Sequence, residues 1–172
     1  MTTTTAHPHH AALHHDPQAA ANALAAYEEA RLRDLAAAQR WRARAWTAAR
    51  IVLGALFLAG AIGKALSFGA TQAAMSEFGL HLTGALLTAA IGIEGIGGVM
   101  LLLGFRAREA AVTLVLWLLT VTVVVHGNVT IDANRVQAFN NLGIIAALLF
   151  LFSHGAGAAS LDQARARREA QQ

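Results

Sequence analysis

Cysteine is absent from these 172 residues. Without it the chain holds no disulfide, runs no thiolate chemistry, ligates no iron–sulfur cluster and attaches no haem covalently, so any redox role must be indirect. Charge is scarce too: Asp, Glu, Lys and Arg make up 13% of the sequence, against about 25% in ordinary soluble domains. With 56% hydrophobic residues and a mean hydropathy of +0.47, the chain belongs in a bilayer before any motif is considered. The first 40 residues lack an apolar core behind a basic start, so no secretory signal is expected there.

The net charge of +3 and a pI near 10.6 would suit nucleic acid only if the basic residues shared a soluble face. They gather instead before the first apolar run, between the second and third, and after the last. That is the pattern of loops facing the cytoplasm, and nucleic acid is excluded as a partner. The partner that composition demands is the lipid bilayer.

Residues 1–15, MTTTTAHPHHAALHH, have little to bury and are expected to form a disordered tail. His7, His9, His10, His14 and His15 could take up a divalent metal there, but no carboxylate pattern sets a geometry, and the composition favours a plain tail. Residues 16–46 read as a cytoplasmic or interfacial helix, with Asp16 as cap, Pro17 in the first turn and an alanine-rich run behind them. Leu24, Tyr27, Leu35, Ala38, Ala45 and Trp46 share one side, interrupted by Arg31 and Arg42, while Glu29 and Arg33 pair at i,i+4 on the other. Arginines 40, 42, 44 and 50 around Trp41 and Trp46 suit an anchor on an anionic leaflet; a solvated extension of the first span fits equally well.

Four apolar segments follow within 47–161, at about 47–68, 82–104, 109–127 and 136–160, each near the roughly 20 residues a hydrocarbon core requires. Residues 162–172 form a basic tail. Short connections make neighbouring spans antiparallel. The expected fold is all-α, a four-transmembrane-helix antiparallel bundle with an N-terminal cytoplasmic helix. Arginines 40, 42, 44, 50, 106, 108, 165, 167 and 168 mark one side of the membrane. The loop from Gly69 to His81 has no Lys or Arg, and the loop from Asn128 to Arg135 balances its arginine with Asp132. Both termini are therefore expected in the cytoplasm of a multi-pass inner-membrane protein. The sequon at Asn128 sits too close to the bilayer to be read as a glycan site.

An ionisable group within a span costs roughly 2.5–3.5 kcal/mol on insertion scales, so each invites a functional reading and a named partner. Lys64 near the end of the first span, Glu94 in the middle of the second, His126 at the end of the third, and Asn140 and Asn141 at the start of the fourth are the candidates. Lys64, His126 and Asn140 should lie in one layer, whereas helix rise puts Glu94 deeper by about 12 Å along the axis from Lys64. Ala90 and Gly98 flank Glu94 on a narrow face that suits the bundle interior, and Ala55, Ala59 and Gly63 offer a matching ridge on the first span. The competing reading is that these polar groups merely hold the helices together; His126 alone also fits an interfacial residue, and His81 and His154 carry no signal. GIEGIGG lies within an apolar helix with no strand before it and is not a phosphate loop.

AIGKALSF, IEGIGGVMLLLGFRAR, a third span ending VVVHGN, and NNLGIIAALLFLFSHGAGAASLD together resemble the DoxX family, over about residues 50–162. The resemblance implies a four-span helical membrane protein. It further implies an accessory, non-catalytic subunit of a quinone-linked redox system, with membrane or peripheral oxidoreductase subunits as partners and no intrinsic cofactor beyond a quinone. Asn141 matches the family pattern, and Asn140 stands where members often carry lysine, so one charge is missing from that edge. The rival functions are a small proton-linked transporter titrating Glu94 and a scaffold that recruits a soluble partner through the N-terminal helix.

Overall fold

A computed structural model describes residues 17–77, 79–126 and 130–172. Regular structure among them is entirely helical: α1 (Pro17–Leu66), α2 (Phe68–Glu77), α3 (Thr83–Leu103), α4 (Ala107–Val124), α5 (Asp132–His154) and α6 (Leu161–Glu169). Four helical stretches are long and apolar enough to cross a membrane: Gln18–Leu66, Thr83–Leu103, Ala107–Val124 and Asp132–His154. The five histidines from His7 to His15, the Asp16 cap and the Asn128 sequon lie outside the described residues.

The chain divides at Trp41 into two compact units. In the first, the described residues continue the alanine-rich helix, and Leu24, Tyr27, Leu32, Leu35 and Trp41 are all exposed. Glu29 and Arg33 form their i,i+4 pair at 2.9 Å, a contact between two exposed side chains that contributes only a few tenths of a kcal/mol.

In the second unit α1 and α3 run antiparallel and touch through glycine. A Cβ on either Gly54 or Gly98 would stand 2.8 Å from the carbonyl oxygen of the other, so the backbones themselves meet here. The same register sets Arg50 against the Leu101 and Leu102 carbonyls and Ala61 against Gly95. The inward stripe of α1 is therefore Arg50, Gly54, Phe57 and Ala61, while Ala55, Ala59 and Gly63, the ridge read from the sequence, face outward. Both stripes carry small residues; the bonds of Arg50 to the end of α3 favour the first.

α4 packs beside α3, where Gly97 gives room for Leu114, and Leu101, Ala107, Ala111, Leu114 and Leu148 make a core with no exposure. Side chains on the opposite faces, among them Val52, Leu56, Ile96, Leu116, Val123, Leu142 and Phe152, are exposed and apolar. Acyl chains are the solvent that suits them.

The Arg50 end of this unit is tightly tied. Gly104 closes α3 at φ 62, its N–H donating to the Leu101 carbonyl, and Phe105 N–H donates to Met100. Asp162 accepts from the N–H groups of Arg106 at 2.7 Å and Ala107 at 3.0 Å, capping α4 from far along the chain. Trp46 donates to the Gly155 carbonyl at 2.9 Å and lies edge-on to Phe150.

Helix boundaries differ from the sequence reading in several places, among them the end of α4 at Val124 and the start of α5 at Asp132. α5 stops at His154, because Gly155 and Gly157 adopt φ of 78° and 81° and turn the chain. Residues 69–77, read as loop, belong to α2, which begins at Phe68, and most of the basic tail lies in α6, which begins at Leu161 behind a Ser160 cap.

Candidate functional site

The buried face of α3 is Thr83, Leu87, Ala90, Glu94, Gly97, Gly98 and Leu101, a stripe at helical spacing with one carboxylate in its middle. Glu94 Oε2 accepts from Lys64 Nζ at 2.6 Å and Oε1 from Trp117 Nε1 at 3.1 Å. Both carboxylate oxygens thus have a donor, which is what burial of a charge in hydrocarbon requires. The Glu94 side chain is 10% exposed and that of Lys64 34%, so the carboxylate is the buried member and the ammonium reaches solvent or headgroups at its edge.

The axial gap of about 12 Å expected between these two residues is not what the helices make. Register places Glu94 opposite Gly60, one turn and about 6 Å from Lys64. A Cβ at Gly60 would lie 3.2 Å from Glu94 Oε2 and 3.6 Å from Lys64 Nζ. The lysine folds back along its own helix over a residue with no side chain. α1 ends at Leu66 while α3 begins beyond that level, so counting each helix from its own end overstates the separation.

Two cavities meet at this pair. One, of about 300 Å³, lies among α2, α3 and α4 with Met75, Leu80, Leu87 and Val125 in an apolar wall. The other, of about 680 Å³, is bordered by Phe57, Gly60, Gln137, Asn140 and Asn141. Lys64, Glu94, Val121 and His126 line both.

All five candidates from the sequence border the larger cavity, but they form two clusters. Asn141, 3% exposed, donates to Thr122 Oγ1 at 2.9 Å and accepts from Gln137 Nε2 at 3.0 Å. His126 Nδ1 stands 3.5 Å from Oδ1 of the buried Asn134. Asn140 is exposed at the cavity margin. Trp117, Gly60, Thr122, Asn134 and Gln137 were not singled out from the sequence. Trp117 had one available signal: an indole N–H within a span needs an acceptor, and the nearest span offered a carboxylate.

The remaining polar residues serve other ends. Arg50, read as a flanking charge, is 2% exposed and donates to Leu101, to Leu102 at 3.0 Å and to Ala159 at 2.7 Å. His81 is exposed before α3, and His154 stacks against Phe150 and Trp46. Among the described residues no group of three or more His, Cys, Asp or Glu is placed to hold a metal ion.

Comparison with known proteins agrees with this architecture. The DoxX family model matches residues 45–127. Over 115 residues, 67% of this chain and 87% of the relative, the sequence is 31% identical to inner membrane protein YqjF of Escherichia coli (strain K12). No solved structure matches the chain.

Proposed function

The chain belongs to the DoxX family of integral membrane proteins, and on that premise we propose that it is a non-catalytic accessory subunit of a quinone-linked membrane redox system. Its contribution is a lipid-accessible cavity. The observation that carries this reading is the shared border of two cavities, one apolar and one polar, at Lys64 and Glu94.

A quinone, when bound, supplies two-electron carrier chemistry that no residue of this cysteine-free chain offers. The residues fit such a molecule. Met75, Leu80, Leu87 and Val125 suit a prenyl chain. The ammonium of Lys64 has three donors, of which Glu94 takes one, leaving others for a carbonyl oxygen. Glu94 and Trp117 orient the lysine, and the apolar wall excludes water.

The test is chemical extraction of protein purified in mild detergent. Isoprenoid quinone should be present near one per chain and fall several-fold in Lys64→Met. Quinone content no higher than in an unrelated membrane protein prepared alongside would overturn the reading. Proton-linked transport is the second reading, favoured by the position of Glu94 on both cavities. Solute uptake into liposomes that depends on pH and disappears in Glu94→Gln would put it first. Recruitment of a soluble partner has in its favour the exposed apolar residues from Leu24 to Trp41, and loss of phenotype on deleting residues 1–45 alone would support it.

We place the protein in the inner membrane, as its relative's name states for that protein, with both termini cytoplasmic. The arginine distribution supports this orientation. Single cysteines replacing Thr71 and Thr130 should react with an impermeant maleimide in intact cells, and cysteines replacing Glu109 and Ala170 should not; the reverse pattern means the opposite orientation.

A further inference from the structure

At the Arg50 end of the bundle a separate cavity of about 450 Å³ opens between the start of α4 and the turn after α5, bordered by Arg108, His154, Gly155, Gly157, Ser160 and Asp162. Most of its polar groups are already engaged. Both Asp162 oxygens accept from α4 backbone N–H groups, at 2.7 and 3.0 Å. The Ser160 hydroxyl donates to Gly157 at 2.6 Å and accepts from Gln163 N–H at 3.2 Å. His154 Nδ1 lies 3.0 Å from the Phe150 carbonyl, with the ring packed on Phe150 at 4.1 Å, so the ring is held while its other nitrogen has no partner among the described residues.

Arg108 is different. It forms no ion pair or hydrogen bond with another described residue, and its guanidinium lies against the turn where Gly155 has no side chain: a Cβ there would stand 3.4 Å from Nε and 3.5 Å from Nη2. The fork of an unpaired arginine, beside an imidazole and a glycine turn, has the geometry that receives the oxygens of a phosphate. Below it on α4, Val112, Leu116 and Leu119 are exposed at the spacing of one helical face. That strip begins at the cavity and runs into the apolar span.

We infer that this cavity binds the phosphate of an anionic phospholipid, held by Arg108 with His154, while an acyl chain lies along Val112, Leu116 and Leu119. The strip is what favours a lipid over a soluble phosphate. The site shares no residue with the Lys64–Glu94 cavities, and it stands or falls independently of the quinone reading.

Native mass spectrometry of the full chain in mild detergent, after delipidation, tests this with phosphatidylglycerol, phosphatidylcholine and inorganic phosphate as probes. Phosphatidylglycerol should be retained over phosphatidylcholine, and Arg108→Gln should weaken that retention about fivefold. Arg167→Gln removes the same charge from exposed α6 and should leave retention unchanged, which separates the cavity from general attraction to a basic surface. Displacement of the lipid by millimolar inorganic phosphate would support the phosphate chemistry and assign it to a soluble source. Equal retention of the two lipids, or equal loss in Arg108→Gln and Arg167→Gln, overturns the site. Should Arg108→Gln fail to accumulate, His154→Gln replaces it, with a loss of at least twofold expected and unchanged retention counting against the site.

Discussion

Replacing Glu94 by glutamine changes one atom type at the centre of the bundle and exposes a bonding conflict. Lys64 Nζ and Trp117 Nε1 both donate to Glu94, one to each oxygen, at 2.6 and 3.1 Å. A glutamine has one acceptor oxygen and one donor group. If the amide oxygen turns to Trp117, its NH₂ faces the ammonium; if it turns to Lys64, its NH₂ faces the indole N–H. Either way one donor loses its partner. Two unit charges 2.6 Å apart attract by about 6 kcal/mol at an effective dielectric constant near 20, but desolvation offsets much of that. Lys64 is a third exposed and can lean outward once released. The net loss of stability expected for Glu94→Gln is therefore about 1–3 kcal/mol.

The pair is separated from its surroundings by a double-mutant cycle with Lys64→Gln, read by SDS-induced unfolding in mixed micelles and followed by far-ultraviolet circular dichroism. In the double variant two amides can bond to each other with no uncompensated charge, so part of the loss should return. A coupling energy of about 1 kcal/mol or more is expected. A coupling below about 0.5 kcal/mol, within the range for residues that do not interact, would refute the argument that the ion pair is the organising contact of this site.

Four further substitutions test the surroundings by the same unfolding assay. Gly98→Ala puts a Cβ 2.8 Å from the Gly54 carbonyl oxygen and should cost about 1–3 kcal/mol by forcing the helices apart, whereas Gly92→Ala, with open space at its Cβ, should not destabilise. Trp117→Phe removes the indole donor and keeps a ring, so a loss of about 1.5–3 kcal/mol is expected for a hydrogen bond to a charged group; no change would mean that the Trp117 bond to Glu94 contributes nothing. Asp162→Ala uncaps α4 and should cost about 1–2 kcal/mol, without altering quinone content, which separates an end-capping role from a part in the cavity.

The sequence revealed the spans because apolar length is dictated by the bilayer, and it revealed Glu94 because a carboxylate on a small-residue stripe has few other places to go. It was less informative about how each helix turns about its axis. A soluble helix announces its inner face by hydrophobic contrast, but in a bilayer both faces are apolar and the contrast vanishes. On α1 the sequence points to Ala55, Ala59 and Gly63 as the inward ridge, but that stripe is exposed and the buried small residues are Gly54 and Ala61. The deciding residue was Arg50, and a lone arginine at a span end reads as a flanking charge until its three carbonyl acceptors are seen. Trp117 was hidden for the same reason, being one more apolar residue in an apolar run. The depth of Lys64 was misjudged because α2 was not foreseen: with residues 69–77 taken as loop and the first span run to Phe68, α1 seemed to reach the boundary that α3 starts from.

These differences share a cause that bears on how the site works. At the Arg50 end the helices are joined by bonds that leave little slack: Arg50 links α1 to the end of α3 and to Ala159, Trp46 links α1 to Gly155, and Asp162 links α4 to the last helix. At the Lys64 end described cross-links join side chain to side chain, from Lys64 and Trp117 to Glu94 and from Asn141 to Thr122. There α1 gives way to α2, and the helices stand apart around two cavities. Local opening free energies follow such differences in bonding and burial. A ligand of the proposed kind, entering from the lipid, would meet the end where the two cavities lie, while the bonds at the opposite end keep the helices in register. The Lys64–Glu94–Trp117 cluster lies at the transition between these two regions. It joins α1, α3 and α4 through one carboxylate, which makes it the place where a bound molecule would alter how those helices pack.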